Sequence, residues 1–391
     1  MDEPRTVTLV LCRRDGTVLG SLAPFEVPVP WWQEVRPVVE RAREVAGIDV
    51  TVLRLLHADS PAGAGGQVTY LAEVAAPVSG LAPWPEPLPD HPRRLSYARP
   101  GGPAADLEWA DATLGDLGRP LTSAPRQVRS WNLSSLWRLP TARGAVWLKV
   151  VPPFFAHEGA VIAALDPAVV PPLLAHDGPR VLLDEIAGRD LYGATGHMLL
   201  RMVTVLVGLQ AQWVGRCAEL RAFGLPDWRG EPFASLAAAA LDRTADQLAP
   251  ATVRTCAALV ASLPERFVAI AACGVPDTLV HGDFHTGNLM GDETSLTLLD
   301  WGDCGVGNPL LDRAAFLPGV PPNERSDVRA HWDDAWRAAV PGSDPARADE
   351  LVRPVAALLR AVVYDGFVQA IEPSERVYHA SDAARWLRTL D

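Results

Sequence analysis

One lysine is all that this 391-residue chain contains, because every other one of its 35 basic residues is an arginine. Alanine, arginine and proline are abundant, as a GC-rich genome would dictate, which accounts for the scarcity of lysine but not for the position of the one retained. At Lys149, inside AVWLKVVP (145–152), a compact ammonium on a flexible stem does something that a planar guanidinium does not. The five cysteines, Cys12, Cys217, Cys256, Cys273 and Cys304, are odd in number, scattered and never spaced CxxC, which excludes a disulfide framework and a zinc site of the usual pattern. No stretch approaches the roughly 20 apolar residues of a membrane span. The N-terminal MDEPRTVTLV lacks the basic region and apolar core of a secretory signal, so a cytoplasmic protein is expected. A net charge of -12 argues against nucleic acid and anionic membranes as partners, and weakly favours a cationic small molecule. Internal repeats, low-complexity tracts and a GxGxxG motif are also missing.

What is present reads as an ordinary globular chain, 48% hydrophobic and 21% charged, long enough for two or more cores. Residues 6–21 predict a β-hairpin around an Arg-Asp-Gly turn. After it, Val35, Val38, Val39 and Ala42 fall at helical spacing up to a capping Gly47. TVLRLLHA and QVTYLAEV follow as strands, and GLAPWPEPLPDHPRR is too proline-rich for regular structure, so a linker or peripheral strand region is expected over about 80–120. Residues 1–118 are thus a small α/β domain. REVAGI at 43–48 followed by TVLRLL is distantly similar to a Nudix domain, but the paired glutamates and glycine-rich entry that would hold magnesium are missing, leaving Glu44 almost alone. An inert accessory domain is the expectation, and Nudix-type hydrolysis the alternative.

From 125 onward, RQVRSWNLSSLWRLP and GAVWLKVV predict strands joined by a turn at Thr141–Gly144. HEGAVIAALD predicts a helix, PRVLLDEIAG a strand, and the chain beyond about 195 is mostly helical. Strands followed by helices predict an α+β arrangement, a small sheet lobe (119–188) and a larger helical lobe (189–391).

Residues 279–312, LVHGDFHTGNLMGDETSLTLLDWGDCGVGNPLLD, carry the chemistry. In a phosphoryl-transfer site a loop aspartate can take the proton of an attacking hydroxyl, while an asparagine oxygen and a second carboxylate hold Mg²⁺ against nucleotide phosphates. A hairpin turning at Gly291-Asp292 would bring Asn288 beside Asp300. The order His281-Gly282-Asp283, Asn288, Asp300-Trp301, then Gly307, Pro309 and Asp312 resembles the aminoglycoside phosphotransferase and choline kinase family, over roughly residues 120–391. That resemblance implies a protein-kinase-like two-lobe fold, with Asp283 as catalytic base, Asn288 and Asp300 as magnesium ligands, and His281 and Asp312 as supports of the loop. Asn308 stands where the family often has aspartate. His285 can contact substrate or phosphate, or simply stabilise the loop; Asp303 can assist a metal or a cationic substrate, or be a surface carboxylate; Cys304 is assigned to packing.

A kinase-like sheet lobe should present a cation to the α- and β-phosphates, and Lys149 is placed for it. Nine residues on, Glu158 shares a helical stripe with Val161, Ile162 and Leu165 and is the natural partner to aim the ammonium, a surface salt bridge being the alternative. RVLLDEIAG resembles the family's crossover, where backbone near Asp184 and Ile186 would hold adenine. The 129–138 turn would cover the nucleotide, with Ser134 and Ser135 as donors to phosphate, or be an ordinary hairpin. Asp333, Asp334, Asp365, Glu372 and Glu375 could meet an amine-bearing acceptor, and Trp332, Trp336, Tyr364 and Tyr378 could wall it; solvated helix faces and core packing are the plainer readings. The expected activity is ATP- and Mg²⁺-dependent phosphorylation of a hydroxyl on an aminoglycoside, another antibiotic or a small metabolite. A nucleotide-binding regulatory module without turnover is the rival.

Overall fold

Alternating apolar residues open the chain: Val7, Leu9 and Leu11 all point to one buried face of strand β1 (Arg5–Cys12). The structure, a computed structural model, describes residues 4–59 and 63–391. It divides into two units, the first built from Met1–Ala156, Leu173–Glu185 and Phe367–Ala380, the second from His157–Pro172, Ile186–Gly366 and Ser381–Asp391.

In the first unit β1 turns at Asp15, whose carboxylate accepts the Thr17 amide at 2.9 Å, and returns as β2 (Val18–Ser21). β3 (Phe25–Val27) also pairs with β1. Helix α1 (Arg36–Ala46) buries Val38 and Ala42 and ends at Gly47, whose φ of 66° lets its amide donate back to the Arg43 carbonyl. β4 (Thr51–Ala58) and β5 (Gly66–Glu73) complete a sheet in the order β2-β1-β5-β4, in which β1 and β5 run parallel. Glu44 pairs with Arg41 at 2.9 Å on the exposed side of α1.

The region expected to be a linker is irregular only in its proline-rich half. Helix α2 (Gly102–Asp116) occupies 15 residues of it, because its composition turns to Ala, Leu and Trp once the prolines end, with Pro103 tolerated in the first turn. Its buried Ala110 and Leu114 pack on the second sheet, formed by β6 (Arg126–Trp131), β7 (Ser134–Thr141), β8 (Gly144–Val150), β9 (Leu173–Asp177) and β10 (Arg180–Asp184) in the order β6-β7-β8-β10-β9. The two sheets are stitched by Gln127, which is buried, accepts the Val52 amide at 2.9 Å and donates to the Val52 carbonyl at 2.7 Å.

The second unit is mainly helical: α3 (Glu158–Ala164), α4 (His197–Gln212), α5 (Cys217–Ala222), α6 (Gly230–Thr244), α7 (Pro250–Ala272), α8 (Leu310–Phe316), α9 (Arg325–Ala339), α10 (Pro345–Ala370) and α11 (Asp382–Leu387). Five short strands interrupt them: β11 (Arg189–Asp190), β12 (Thr278–Val280), β13 (Leu289–Gly291), β14 (Leu296–Leu298) and β15 (Gly305–Gly307), paired as β11-β13-β14 and β12-β15. Contrary to the reading of the sequence, one helix, α7, with 23 residues, is long and apolar enough to cross a membrane by length and composition alone. Trp332 and Trp336 are wholly buried on α9, and Trp332 packs edge-on against Phe284 and Phe316, so they are core rather than a substrate wall.

Several expected acceptor carboxylates are likewise corrected. Glu372 and Glu375 are buried in the first unit: Glu372 pairs with Arg94 at 2.9 Å and with Arg54 at 3.6 Å, and Glu375 accepts the Leu55 amide at 2.7 Å. Tyr378 packs edge-on against Trp32 and Trp131. A segment more than 300 residues along the chain closes the core of its beginning, so no local pattern marks these groups as internal.

Glu375 carries a pH signature. Burial pushes its carboxyl up to about 8, against the hydrogen bond from Leu55, and its second oxygen has no partner among the described residues. A carboxyl whose native pKa is raised lends its stability fully below the unfolded value near 4.5 and loses it as pH climbs toward 8. Glu375→Gln keeps an acceptor for Leu55 without a charge, so its urea midpoint should gain on the wild type as pH rises from 5 to 8.5; a constant difference would refute the assignment.

Candidate active site

The loop after β12 is set by one buried carboxylate. Asp312, at the start of α8, accepts the amides of His281 and Gly282 and the side-chain amide of Gln210, each at 2.8 Å. Burial pushes this carboxyl up to about 7 against the pull of the two backbone amides. Gly282 has φ +84°, and a Cβ there would lie 1.9 Å from the Asp303 carbonyl oxygen, so only glycine lets the loop press on the 301–303 turn. His281 bridges the same two segments. Its Nε2 faces the Leu299 carbonyl at 2.8 Å and its Nδ1 faces the Asp283 amide at 3.3 Å; a carbonyl only accepts and an amide only donates, so the ring is neutral with the proton on Nε2. Burial lowers its pKa, in the same direction.

Asp283 is thereby presented half-exposed. Its Oδ1 takes the Arg360 guanidinium at 2.9 Å, while Oδ2 takes the Asn288 amide at 3.1 Å and faces His285 Nε2 at 3.4 Å. Burial pushes the carboxyl up, but the His285 hydrogen bond and the Arg360 charge outweigh it and hold the pKa well below the usual carboxylate range. His285 has its Nδ1 occupied by the Gly287 amide at 3.0 Å, which turns Nε2 to Asp283 and makes this ring a partner of the candidate base. Burial works against the charge of Arg360, yet Asp283 and Asp303 keep its pKa raised.

The hairpin brings Asn288 and Asp300 together as its spacing predicts. β13 and β14 pair antiparallel, the Leu299 amide donates to the Asn288 carbonyl at 2.8 Å, and Gly291 is fixed by a turn in which a Cβ would meet the Ser295 carbonyl at 2.1 Å. With its amide nitrogen on the Asp283 carbonyl (2.9 Å) and carboxylate, Asn288 has its oxygen left to face a cation. Asp300 is exposed and is the one non-glycine residue with positive φ (61°) among the described residues, a strained geometry that aims its carboxylate. Two oxygen donors suit a hard cation such as Mg²⁺, which keeps several ligand positions for water and phosphate.

Glu158 is buried at the start of α3 and its Oε1 accepts the Trp301 amide at 3.2 Å; the preceding His157 holds the Gly302 carbonyl at 3.0 Å. The helix start is thus tied to the turn after Asp300, which the sequence did not reveal. Lys149, half-buried in β8, lies opposite Val181 of β10 and Leu136 of β7. Asp184 accepts both amino groups of Arg119 at 2.8 Å, which lowers its pKa and leaves its backbone for other partners; the division between units falls at the next bond but one, before Ile186.

The 129–138 turn is a hairpin whose tip is pinned to the C-terminal segment. Ser135 is buried with its hydroxyl on the Trp137 indole at 3.0 Å, Ser134 accepts the Trp131 indole at 3.2 Å, and Asn132 at the tip donates to the Glu375 carbonyl at 3.0 Å. Asp333 pairs with Arg313 and Asp365 with Arg243, and both carboxylates are largely covered, whereas Asp334 is exposed on the surface beside Arg337 at 3.1 Å. Asp303 is half-buried with its charge felt by Arg360, and Cys304 is wholly buried, as packing requires. The residue missed outright is Arg360, 77 positions from Asp283, whose only local signal is a place on an amphipathic helix.

Comparison with known proteins bears on the family and the fold. The model of a family described as the phosphotransferase enzyme family matches residues 126–351. No curated protein sequence matches. Among solved structures, macrolide 2'-phosphotransferase MphH from Brachybacterium faecium aligns at TM-score 0.50 and 17% identity, over 71% of this chain and 98% of its own. Macrolide 2'-phosphotransferase type I aligns at TM-score 0.51 and 15% identity, over 72% and 97%. At such identities the likeness establishes the fold, which is the α+β, protein-kinase-like one expected.

The backbone of Asp300 makes a prediction independent of activity. A left-handed conformation costs a side-chain-bearing residue about 1–2 kcal/mol and glycine almost nothing. Asp300→Gly should therefore be more stable than Asp300→Ala by about 1 kcal/mol in thermal unfolding; equal stabilities would remove the strain.

Proposed function

The chain belongs to the phosphotransferase enzyme family, and from that premise we propose that it is an ATP- and Mg²⁺-dependent kinase of a small-molecule hydroxyl. The observation that carries the reading is the convergence of Asp283, Asn288 and Asp300 on one loop and hairpin locked by Asp312 and His281. Asp283 orients the acceptor hydroxyl and receives its proton as the new O–P bond forms and the bond between the β- and γ-phosphates breaks, releasing ADP. Its depressed pKa makes it a weak base, which suffices where the transition state is loose and positioning matters more than proton abstraction. Asn288 and Asp300 would hold magnesium, which when bound neutralises charge on the phosphates. Lys149 would grip the α- and β-phosphates, and backbone near Asp184 and Ile186 would hold the adenine. The free cysteines support a cytoplasmic setting. The names of the two macrolide phosphotransferases support an antibiotic or similar hydroxyl-bearing acceptor.

One observation favours a second reading, a nucleotide-binding module without turnover: Arg360 occupies an oxygen of the candidate base. ADP release decides between them. With a panel of hydroxyl-bearing antibiotics and metabolites, Asp283→Asn should lose about 10²–10⁴-fold in rate with ATP binding retained; undiminished release would overturn the assigned base. Lys149→Arg should lower kcat by about tenfold or more, since a forked guanidinium does not occupy the space of an ammonium, and wild-type kcat in that variant would show that the lone lysine has another purpose.

A further inference from the structure

The second unit contains a cavity of about 460 Å³, in the range of small-molecule sites. Leu259 and Leu311 supply apolar walls, and the side chains of Thr255, Arg266, Arg353, Arg360, Trp386 and Thr389 supply the polar atoms. Among the described residues none of its lining side chains is acidic. Arg353 and Arg360 stand seven apart on α10, two turns, and so share a face.

Every side-chain nitrogen of the three arginines and of Trp386 is a donor. Arg266 gives one N–H to the Leu351 carbonyl at 3.0 Å. Arg353 leans on Asp349 at 3.0 Å, a carboxylate that it shares with Arg313 and Arg329. Arg360 reaches Asp283, and its guanidinium carbon lies 5.9 Å from the centre of the Trp386 ring. Three guanidiniums with apolar walls describe a site for an oxyanion carried on an apolar body.

Gly282 also lines the cavity, one residue from Asp283, and Arg360 belongs to both places. We propose that the cavity binds the carboxylate and apolar body of the acceptor, so that the substrate class is an apolar hydroxy acid whose hydroxyl lies at Asp283. This rests on the kinase reading and reverses the cationic acceptor that the net charge of -12 favours. It also gives Arg360 a purpose: the acceptor's carboxylate competes with Asp283 for the guanidinium and frees the base as the substrate arrives.

Binding tests this without turnover. Titration calorimetry on the full chain, without nucleotide, would compare 3-hydroxy acids from 3-hydroxybutyrate to 3-hydroxydecanoate, their amides, and inorganic phosphate. Affinity should rise with chain length and fall about tenfold or more on conversion to the amide, and by as much in Arg266→Gln and in the exposed-side-chain variant Arg353→Gln. Asp283→Asn should bind the acids at least as tightly as the wild type, because it releases Arg360. Amides that bind as well as acids, phosphate that binds as well as the longest acid, unchanged affinity in both arginine variants, or no binding across the series would each overturn the proposal. The expected binding pattern together with ADP release that ignores Asp283→Asn would instead sink the assigned base and leave the acid site standing.

Discussion

The buried carboxylate of Asp312 holds three N–H groups that would otherwise have no fixed direction, and the geometry of the candidate site descends from that. It fixes the amides of His281 and Gly282, which sets Asp283 at the loop surface and brings the His281 ring over the carbonyl of Leu299. The price of burying this carboxylate is met because donors converge on it from two separate elements, the loop after β12 and α4. The candidate catalytic loop is thereby anchored to the core, as positioning chemistry demands.

Around this anchor, charge is distributed to keep the candidate base ionised and partly covered. Arg360, His285 and Asn288 all converge on Asp283, so its carboxylate is satisfied before any substrate arrives. The same convergence gives the site a threshold, since a hydroxyl reaching Asp283 must displace or share one of these partners. Asp300 stores the complementary kind of cost, a left-handed backbone held by the hairpin on one side and by the Glu158 contact to Trp301 on the other.

How much of this was legible in the sequence differs by interaction range. The hairpin at 6–21, the helix ending at Gly47 and the turn between β13 and β14 are visible because alternation, helical spacing and turn residues are written over a few neighbouring positions. Helix α2 was missed because proline density was extended past the last proline that breaks structure. Glu372, Glu375 and Tyr378 were misread because the chain returns to close the first core, and a polar pattern on a C-terminal segment looks the same whether its carboxylates meet solvent or a buried arginine.

The sequence by itself determined the candidate groups and their order: an aspartate after His-Gly, an asparagine and a second aspartate at the ends of a hairpin, and one lysine on a strand. Residue type and short spacing suffice for that, since each group's role follows from its own atoms and a local turn. The tertiary structure alone decided which partners those groups face. Arg360 against Asp283, Gln210 against Asp312 and the donor-lined cavity beside Gly282 join residues 77, 102 or more positions apart. Such pairings depend on how helices stack and on where a charge finds a partner once water is excluded, and neither leaves a periodic trace along the chain.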